Sequence, residues 1–296
     1  INVTIDDNQG CPLFIGRQIK GVKNGPSPDW FQKLLKSVGL RPISALVDIT
    51  NFMSLDHARP LHVYDVSKLK GDIAVKETSK GGKIDALDDK TYAIPDGAIG
   101  IYDDSGLIGL GGIVGGVSTG CTDETTDVFV EAAYFAPERI ARTGRDLGVQ
   151  SDARYRFERG VDPEFTSTGM EIATRLILEF CGGEASEIVQ AGKVPEWKRE
   201  IPYKPDLMKT LIGVDIDVGR QESILQALGF EVKVGPEWRV YPPSWRGDVM
   251  GAPDICEEII RIVGFDHIPS RSVHNVSATP IQSATPLLSK IRQARG

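Results

Sequence analysis

Cysteine is scarce: Cys11, Cys121, Cys181 and Cys256 are scattered over 296 residues, and no two form a CxxC pair. That argues against a zinc site or a dense disulfide framework and predicts reduced, buried thiols in a cytoplasmic protein. Long apolar runs are missing too. The most apolar stretch, residues 107–117 (LIGLGGIVGGV), is too short and too rich in glycine to span a bilayer, which takes about 20 residues. No membrane partner is expected. The chain opens at Ile1, with neither a Met nor a basic start followed by an apolar stretch. It therefore reads as a processed chain or a fragment, without a secretory signal. An excess of positive charge is also absent, with 34 Lys plus Arg against 41 Asp plus Glu and a net charge of −7. This excludes coating of nucleic acid by bulk charge but leaves room for a local basic groove. What is present is a composition, 41% hydrophobic and 25% charged, that can bury a sizeable core. At roughly 150 residues per domain, the length suggests two domains or one with an appendage.

Helix signals open the pattern. Over residues 27–39, Ser27 is placed to cap, Pro28 to start and Gly39 to stop a helix whose stripe is Trp30, Phe31, Leu34, Leu35 and Val38. Residues 43–55 suggest a second, buried helix that nonetheless carries Asp48, Thr50 and Asn51, three polar groups in need of partners. Residues 71–133 then change to short β-rich segments (IAVKE, KIDAL, TYAI, AIGIY, LIGL, VFVEAA) punctuated by Gly, Asp and Pro. Residues 163–182 return to helix, with Asp162 as its cap. The sum is an α+β fold, a mixed antiparallel-sheet and helix domain over residues 1–192. The polar segment 193–200 (KVPEWKRE) suits a linker. Residues 201–270 then read as a small winged-helix-like domain: helices near 205–211, 220–228 and 253–263 and a hairpin of EVKV with WRVYPP. Residues 271–296 read as a linker and the start of a further domain.

Several groups could carry chemistry. The glycines Gly109, Gly111, Gly112, Gly115 and Gly116 fail both the dinucleotide and the Walker pattern, because Val114 stands where a glycine is needed and no Lys-Ser/Thr follows. A sheet bulge, or a pocket wall where a ligand meets bare backbone, remains. His62, after a Pro turn, is either a structural hydrogen-bonding residue or part of a site. Glu131 interrupts the apolar strand VFVEAAYF and is either on a solvent face or buried with a purpose. Arg154, Arg156 and Arg159 alternate with Tyr155 and Phe157, which suits either RNA contacts or internal ion pairs with Asp152 and Glu158. Asp254, Glu257 and Glu258 fall at i, i+3 and i+4 of a helix, and Asp248 precedes them. Those acids could form an oxygen site for a hard cation or complement a helix dipole.

Four long segments share one resemblance: RPISALVDITNFMSLDHARPLHVYD, GLGGIVGGVSTGCTDETTDVFVEAAYF, SDARYRFERGVDP and PSWRGDVMGAPDICEEIIRIVGFDHIP. In order and content they resemble the β subunit of bacterial-type phenylalanyl-tRNA synthetase, from about Cys11 to Pro269. The resemblance implies a ligase subunit with an editing domain that hydrolyses tyrosine mischarged on tRNA-Phe, followed by a domain that supports assembly with the α subunit in a heterotetramer of two α and two β chains. ATP and phenylalanine would act at the level of the holoenzyme, with aminoacylation in the α subunit. Carried over residue by residue, the editing pocket falls on Arg41, Thr50, Asn51, His62, Gly112, Gly115, Glu131, Ser151 and Ala153. Thr50, Asn51, His62 and Glu131 would then be the catalytic set, with the glycines making room for an aromatic side chain. The magnesium (Mg2+) ligands fall on Asp248, Asp254, Glu257 and Glu258. Ser151 stands where related sequences carry Thr, and it keeps the hydroxyl. The rival readings are a non-catalytic structural module of the same assembly and a metal-dependent phosphoesterase built on the four acids.

Overall fold

The computed structural model describes residues 1–270 and 286–295. The first unit begins with strands β1 (Val3–Ile5) and β2 (Leu13–Lys20) and helices α1 (Asp29–Ser37) and α2 (Ala45–Asp56). Strand β3 (His62–Asp65) follows, then a run of short strands: β4 (Ile73–Glu77), β5 (Lys83–Asp85), β6 (Thr91–Ala93), β7 (Ile99–Asp103), β8 (Gly106–Leu110) and β9 (Val114–Gly115). Next come the long strand β10 (Asp127–Tyr134), helices α3 (Pro137–Leu147), α4 (Asp152–Phe157) and α5 (Phe165–Cys181), and strands β11 (Glu184–Ala185) and β12 (Val189–Gly192). The expected α+β class is the observed one.

Two sheets organise this unit. One runs β1-β4-β7-β8-β9, and the other runs β11-β2-β10-β3 with β12 also paired to β2. Strand β10 is the hub of the second sheet. Its Val128, Val130 and Ala132 join a core with Phe31, Leu46, Ile49, Met53 and Met170 from α1, α2 and α5. Its Phe129 and Ala133 turn the other way, into a core shared with Ile73, Ile99, Ile101 and Ile108 of the first sheet. Both faces of β10 are therefore covered, which is why it reads as an almost unbroken apolar run. In this run Glu131 is buried, at 6% exposure.

The polar residues of α2 find partners that its helical pattern could not name. Ser27 does not cap α1, which has no side-chain cap. Its hydroxyl instead donates to Asp48 Oδ2 at 2.5 Å, and Asp48 Oδ1 accepts from the Ile43 backbone N–H at 2.9 Å. Asp162 does not cap α5 either, because Glu164 takes that place and Asp162 Oδ1 accepts its N–H. Helices α3 and α4, both outside the sequence expectation, add Ile140 and Phe157 to the core that Phe129 and Ala133 enter.

Residues 193–200 carry no helix or strand. Beyond them stand β13 (Ile201–Tyr203), a helical turn at Met208–Ile212, α6 (Val218–Ala227), β14 (Glu231–Lys233), β15 (Trp238–Tyr241) and α7 (Ala252–Val263). The expected hairpin is present, widened by β13 into a three-stranded sheet of order β13-β15-β14. Its core is separate from the two above and gathers Tyr203, Leu225, Trp238, Val240, Ile255 and Ile259. The expected segment 271–296 lies outside the described residues except for α8 (Pro286–Arg295).

Candidate active site

Register brings the first pair together. In the β10–β3 ladder Glu131 lies directly opposite His62, and Tyr64 lies opposite Phe129. Residues two apart on a strand share a face, so His62, Tyr64 and Glu131 point to the same side, toward the first sheet. The Tyr64 hydroxyl donates to Glu131 Oε2 at 2.5 Å, and the rings of His62 and Tyr64 meet edge to face at 4.4 Å.

These side chains form one wall of a pocket of about 80 Å³, several times the roughly 10–15 Å³ that one water needs. Opposite them runs the glycine-rich stretch from Gly109 to Gly115, and Pro60, Leu61, Ile101, Ala153 and Phe157 complete the lining. The wall is apolar apart from His62, Tyr64, Glu131 and exposed backbone. Burial raises the Glu131 carboxyl to about 7, against the lowering effect of the Tyr64 hydrogen bond. Burial also pushes the Tyr64 phenol well above its ordinary value and drives His62 down to about 4. At neutral pH the imidazole is uncharged. Its Nε2 is buried and has no hydrogen-bond partner among the described residues.

Each glycine has its own physical reason. Gly112 sits at φ +68°, and a Cβ there would press on Ile140, Phe135 and Phe157 at 2.8–3.1 Å. It lines the pocket and is also fixed by its left-handed backbone and by the core behind it. Gly115 is different, because a Cβ there would meet the His62 ring at 2.4 Å. Ser151 caps α4 by accepting the Arg154 N–H and donates to the Ile113 carbonyl at 3.0 Å. Its hydroxyl thus ties α4 to the glycine wall, and the Ala153 methyl group is what reaches the pocket.

Besides Ser151, three of the sequence-derived residues do not line it. Arg41 is exposed in the loop before α2. Thr50 and Asn51 ride on α2, which packs against the other face of the sheet, and the Thr50 hydroxyl is engaged by the Val47 carbonyl at 2.8 Å. Tyr64 is the residue that sequence reasoning missed. The signal was present in the alternation of His62-Val63-Tyr64, with His62 and Tyr64 on one face.

The arginines of α4 and of the turn after it make internal pairs: Arg154 with Glu158 at 3.0 Å, Arg156 with Asp152 at 3.1 Å and Arg159 with Glu158 at 2.7 Å. The four acids near α7 do not converge either. Arg246 lies between Asp248 and Glu258, with ion pairs of 2.7 Å to each, and Arg261 adds a contact to Glu258 at 2.6 Å. Those hydrogen bonds, chiefly from Arg246, hold the Glu258 carboxyl near 2. Asp254 is spent on the backbone, where its Oδ2 accepts from Met250 N at 2.8 Å and Gly251 N at 2.9 Å. Glu257 faces solvent. Among the described residues, no group of three or more His, Cys, Asp or Glu could hold a metal ion. The Asp248, Asp254, Glu257 and Glu258 set therefore does not fit a shared Mg2+ in this arrangement. The expectation of an oxygen site for a cation overlooked Arg246.

The B3/4 domain family matches residues 10–182 and the tRNA synthetase B5 domain matches residues 201–265, so the chain belongs to the B3/4 family and carries a B5 domain behind it. Its similar relatives are phenylalanine-tRNA ligase beta subunits. That of Novosphingobium aromaticivorans is 50% identical over 295 residues, 100% of this chain and 37% of the relative. That of Paramagnetospirillum magneticum is 52% identical over 266 residues, 90% of this chain and 33% of the relative. That of Cereibacter sphaeroides is 49% identical over 299 residues, 100% of this chain and 37% of the relative. The chain thus spans little more than a third of the length of the curated relatives it matches. The resemblance carried by the four motifs is borne out. No helix among the described residues is long and apolar enough to cross a membrane.

Proposed function

We propose that the pocket is the editing site of a phenylalanyl-tRNA synthetase β subunit and hydrolyses the ester that joins tyrosine to tRNA-Phe. One observation carries the reading: Glu131, a buried carboxyl, is presented to a pocket whose other walls are apolar or bare backbone. An aromatic ring is welcome there, and a ring bearing a hydroxyl meets a polar partner. A site built to hydrogen-bond a hydroxyl can reject the analogue without it by about 10⁴–10⁵-fold, because its buried polar groups are otherwise left unpaired.

The reaction adds water to the carbonyl carbon of the ester. The tetrahedral oxyanion then collapses, the bond to the ribose oxygen breaks, and that oxygen takes a proton. Free tyrosine leaves as the carboxylate with release of the second proton. No Ser, Thr, Cys or Lys among the described residues lines the pocket, so its contribution is orientation and polar contact. His62 is uncharged and has a free Nε2, which supports a role in holding the water or the polar end of the aminoacyl group. Arg41, Thr50 and Asn51 carry no part of this reading.

The partners that follow are tRNA-Phe at the pocket and the α subunit, which binds ATP and phenylalanine and performs the charging, in an α₂β₂ assembly. The experiment is deacylation of Tyr-tRNA-Phe by the holoenzyme, wild type against Glu131→Ala. Loss of the preference for Tyr-tRNA-Phe over Phe-tRNA-Phe, with phenylalanine charging intact, is the expected result. An unchanged rate and preference would favour the reading of this chain as a structural module of the assembly.

A further inference from the structure

We infer that Tyr64 is a positioning residue for Glu131: its hydroxyl occupies Oε2 and leaves Oε1 as the single carboxyl oxygen open to the hydroxyl of a phenolic ligand. The inference rests on the reading of the pocket as tyrosine-selecting and names what makes the selection directional.

A glutamate has three rotatable bonds, and a free carboxyl in an 80 Å³ pocket could present either oxygen in several orientations. Tyr64 removes that freedom. It is 1% exposed, its ring is braced against His62, and its hydroxyl sits 2.5 Å from Oε2. Glu131 Oε1 has no hydrogen-bond partner among the described residues. One oxygen is therefore tied down and the other is waiting. A carboxylate accepts from two hydroxyls at once, one from the protein and one from the ligand. Phenylalanine leaves the second acceptor empty, and the pocket is too apolar for another group of the protein to fill it.

The same bond sets when Glu131 is ionised. The titratable groups facing it are His62 and Tyr64 from β3 and Cys11 from the segment before β2. The glycine wall and the α4 residues at the pocket, Ala153 and Phe157, bring none. Burial raises Glu131, and the Tyr64 hydrogen bond is what opposes the rise. Removing that hydroxyl must move the Glu131 titration upward.

The test uses holoenzyme assembled with a Tyr64→Phe β subunit and measures deacylation of Tyr-tRNA-Phe and Phe-tRNA-Phe between pH 5.5 and 9. The preference for the tyrosyl ester should fall about tenfold near pH 7, the size expected for one lost hydrogen bond to a charged group. The rate on Phe-tRNA-Phe should change less than that on Tyr-tRNA-Phe, and the pH midpoint of the preference should move up. Replacing Tyr64 with 3-fluorotyrosine, a stronger donor of almost the same shape, should move the midpoint down and serves if Tyr64→Phe does not assemble. A Tyr64→Phe or fluorotyrosine enzyme with the wild-type preference and midpoint overturns the inference. A Glu131→Ala control separates the two claims. If that control keeps the preference, the tyrosine reading itself fails. If it loses the preference while Tyr64→Phe does not, only the role of Tyr64 fails.

Discussion

Gly115 and His62 are fitted to each other, since a Cβ at position 115 would stand 2.4 Å from Cε1 and 2.9 Å from Nε2 of the imidazole. The contact fixes where the ring can lie. His62 is also held edge-on against Tyr64, so it has no free direction in which to retreat without disturbing the Glu131 partner. Gly115→Ala should therefore displace His62 and lower editing of Tyr-tRNA-Phe by the holoenzyme at least tenfold. The melting temperature should fall only modestly, because overpacking of this kind costs about 1–3 kcal/mol. The backbone at 115 is not left-handed, so the effect is one of contact and not of strain. Wild-type editing by Gly115→Ala would show that the His62 position is immaterial.

The Glu131 carboxyl gives the first unit an unusual pH dependence. Its pKa is about 7 in the fold against 4.5 for the ordinary carboxyl, so between those values the folded state binds more protons than the unfolded one. Stability with respect to this group is therefore greatest below about 4.5 and falls as pH rises toward 7, by roughly 3 kcal/mol at most. Glu131→Gln should remove that slope. Thermal melts at pH 5 and pH 8 check it: the variant should gain on the wild type as pH rises. A constant difference across the range would place the Glu131 pKa outside this window.

How much of this could be read in the sequence depends on range. The β-rich character of residues 71–133 follows from local alternation and punctuation, and strand β4 falls on the expected IAVKE. Strand β2 escaped because LFIGRQIK is buried on both faces over its first half and alternates poorly. Helix α3 escaped because it is short and polar, and it is stopped by Gly148 at φ +65°. For Glu131 the alternation rule left burial open, and only the packing of helices on one side and a second sheet on the other decides it. Thr50 and Asn51 were placed at the pocket by the family resemblance alone, and no local pattern tells that their helix packs on the other face of the sheet. Tyr64 needed the β3–β10 register, which no local pattern supplies.

Ser151 does two local jobs with one hydroxyl, capping α4 and holding the Ile113 carbonyl. Ser151→Ala should cost about 1 kcal/mol, typical of a lost cap. It should also loosen α4 from the glycine wall, so that the KM for Tyr-tRNA-Phe rises more than kcat falls. Ser151→Thr should restore both, since the hydroxyl is what acts. A Ser151→Ala enzyme with unchanged melting and unchanged KM would mean that the tie to Ile113 contributes nothing.

Arg246 is the cation around which the acids of the second unit are arranged, and this makes opposite predictions for charge removal and for magnesium. Glu258 is buried, with Arg246 and Arg261 as its partners, and it titrates near 2 in the fold against 4.5 for the ordinary group. A depressed carboxyl stabilises above its unfolded pKa and loses that contribution as pH falls, here between about 4.5 and 2. Arg246→Ala leaves a buried carboxylate with only the half-exposed Arg261. Breaking a buried pair in this way costs about 3 kcal/mol, and the melting temperature should drop accordingly. Arg246→Lys should rescue only in part, because a single ammonium cannot bridge Asp248 and Glu258 as the guanidinium does. Magnesium, by contrast, should do little to the wild-type chain, because each carboxylate except Glu257 is already engaged by an arginine or by backbone N–H groups. Melts in EDTA and in millimolar MgCl₂ should coincide. A magnesium-dependent rise in melting temperature that Glu258→Gln abolishes would show that the cation displaces Arg246, and the arginine-centred arrangement would have to be given up.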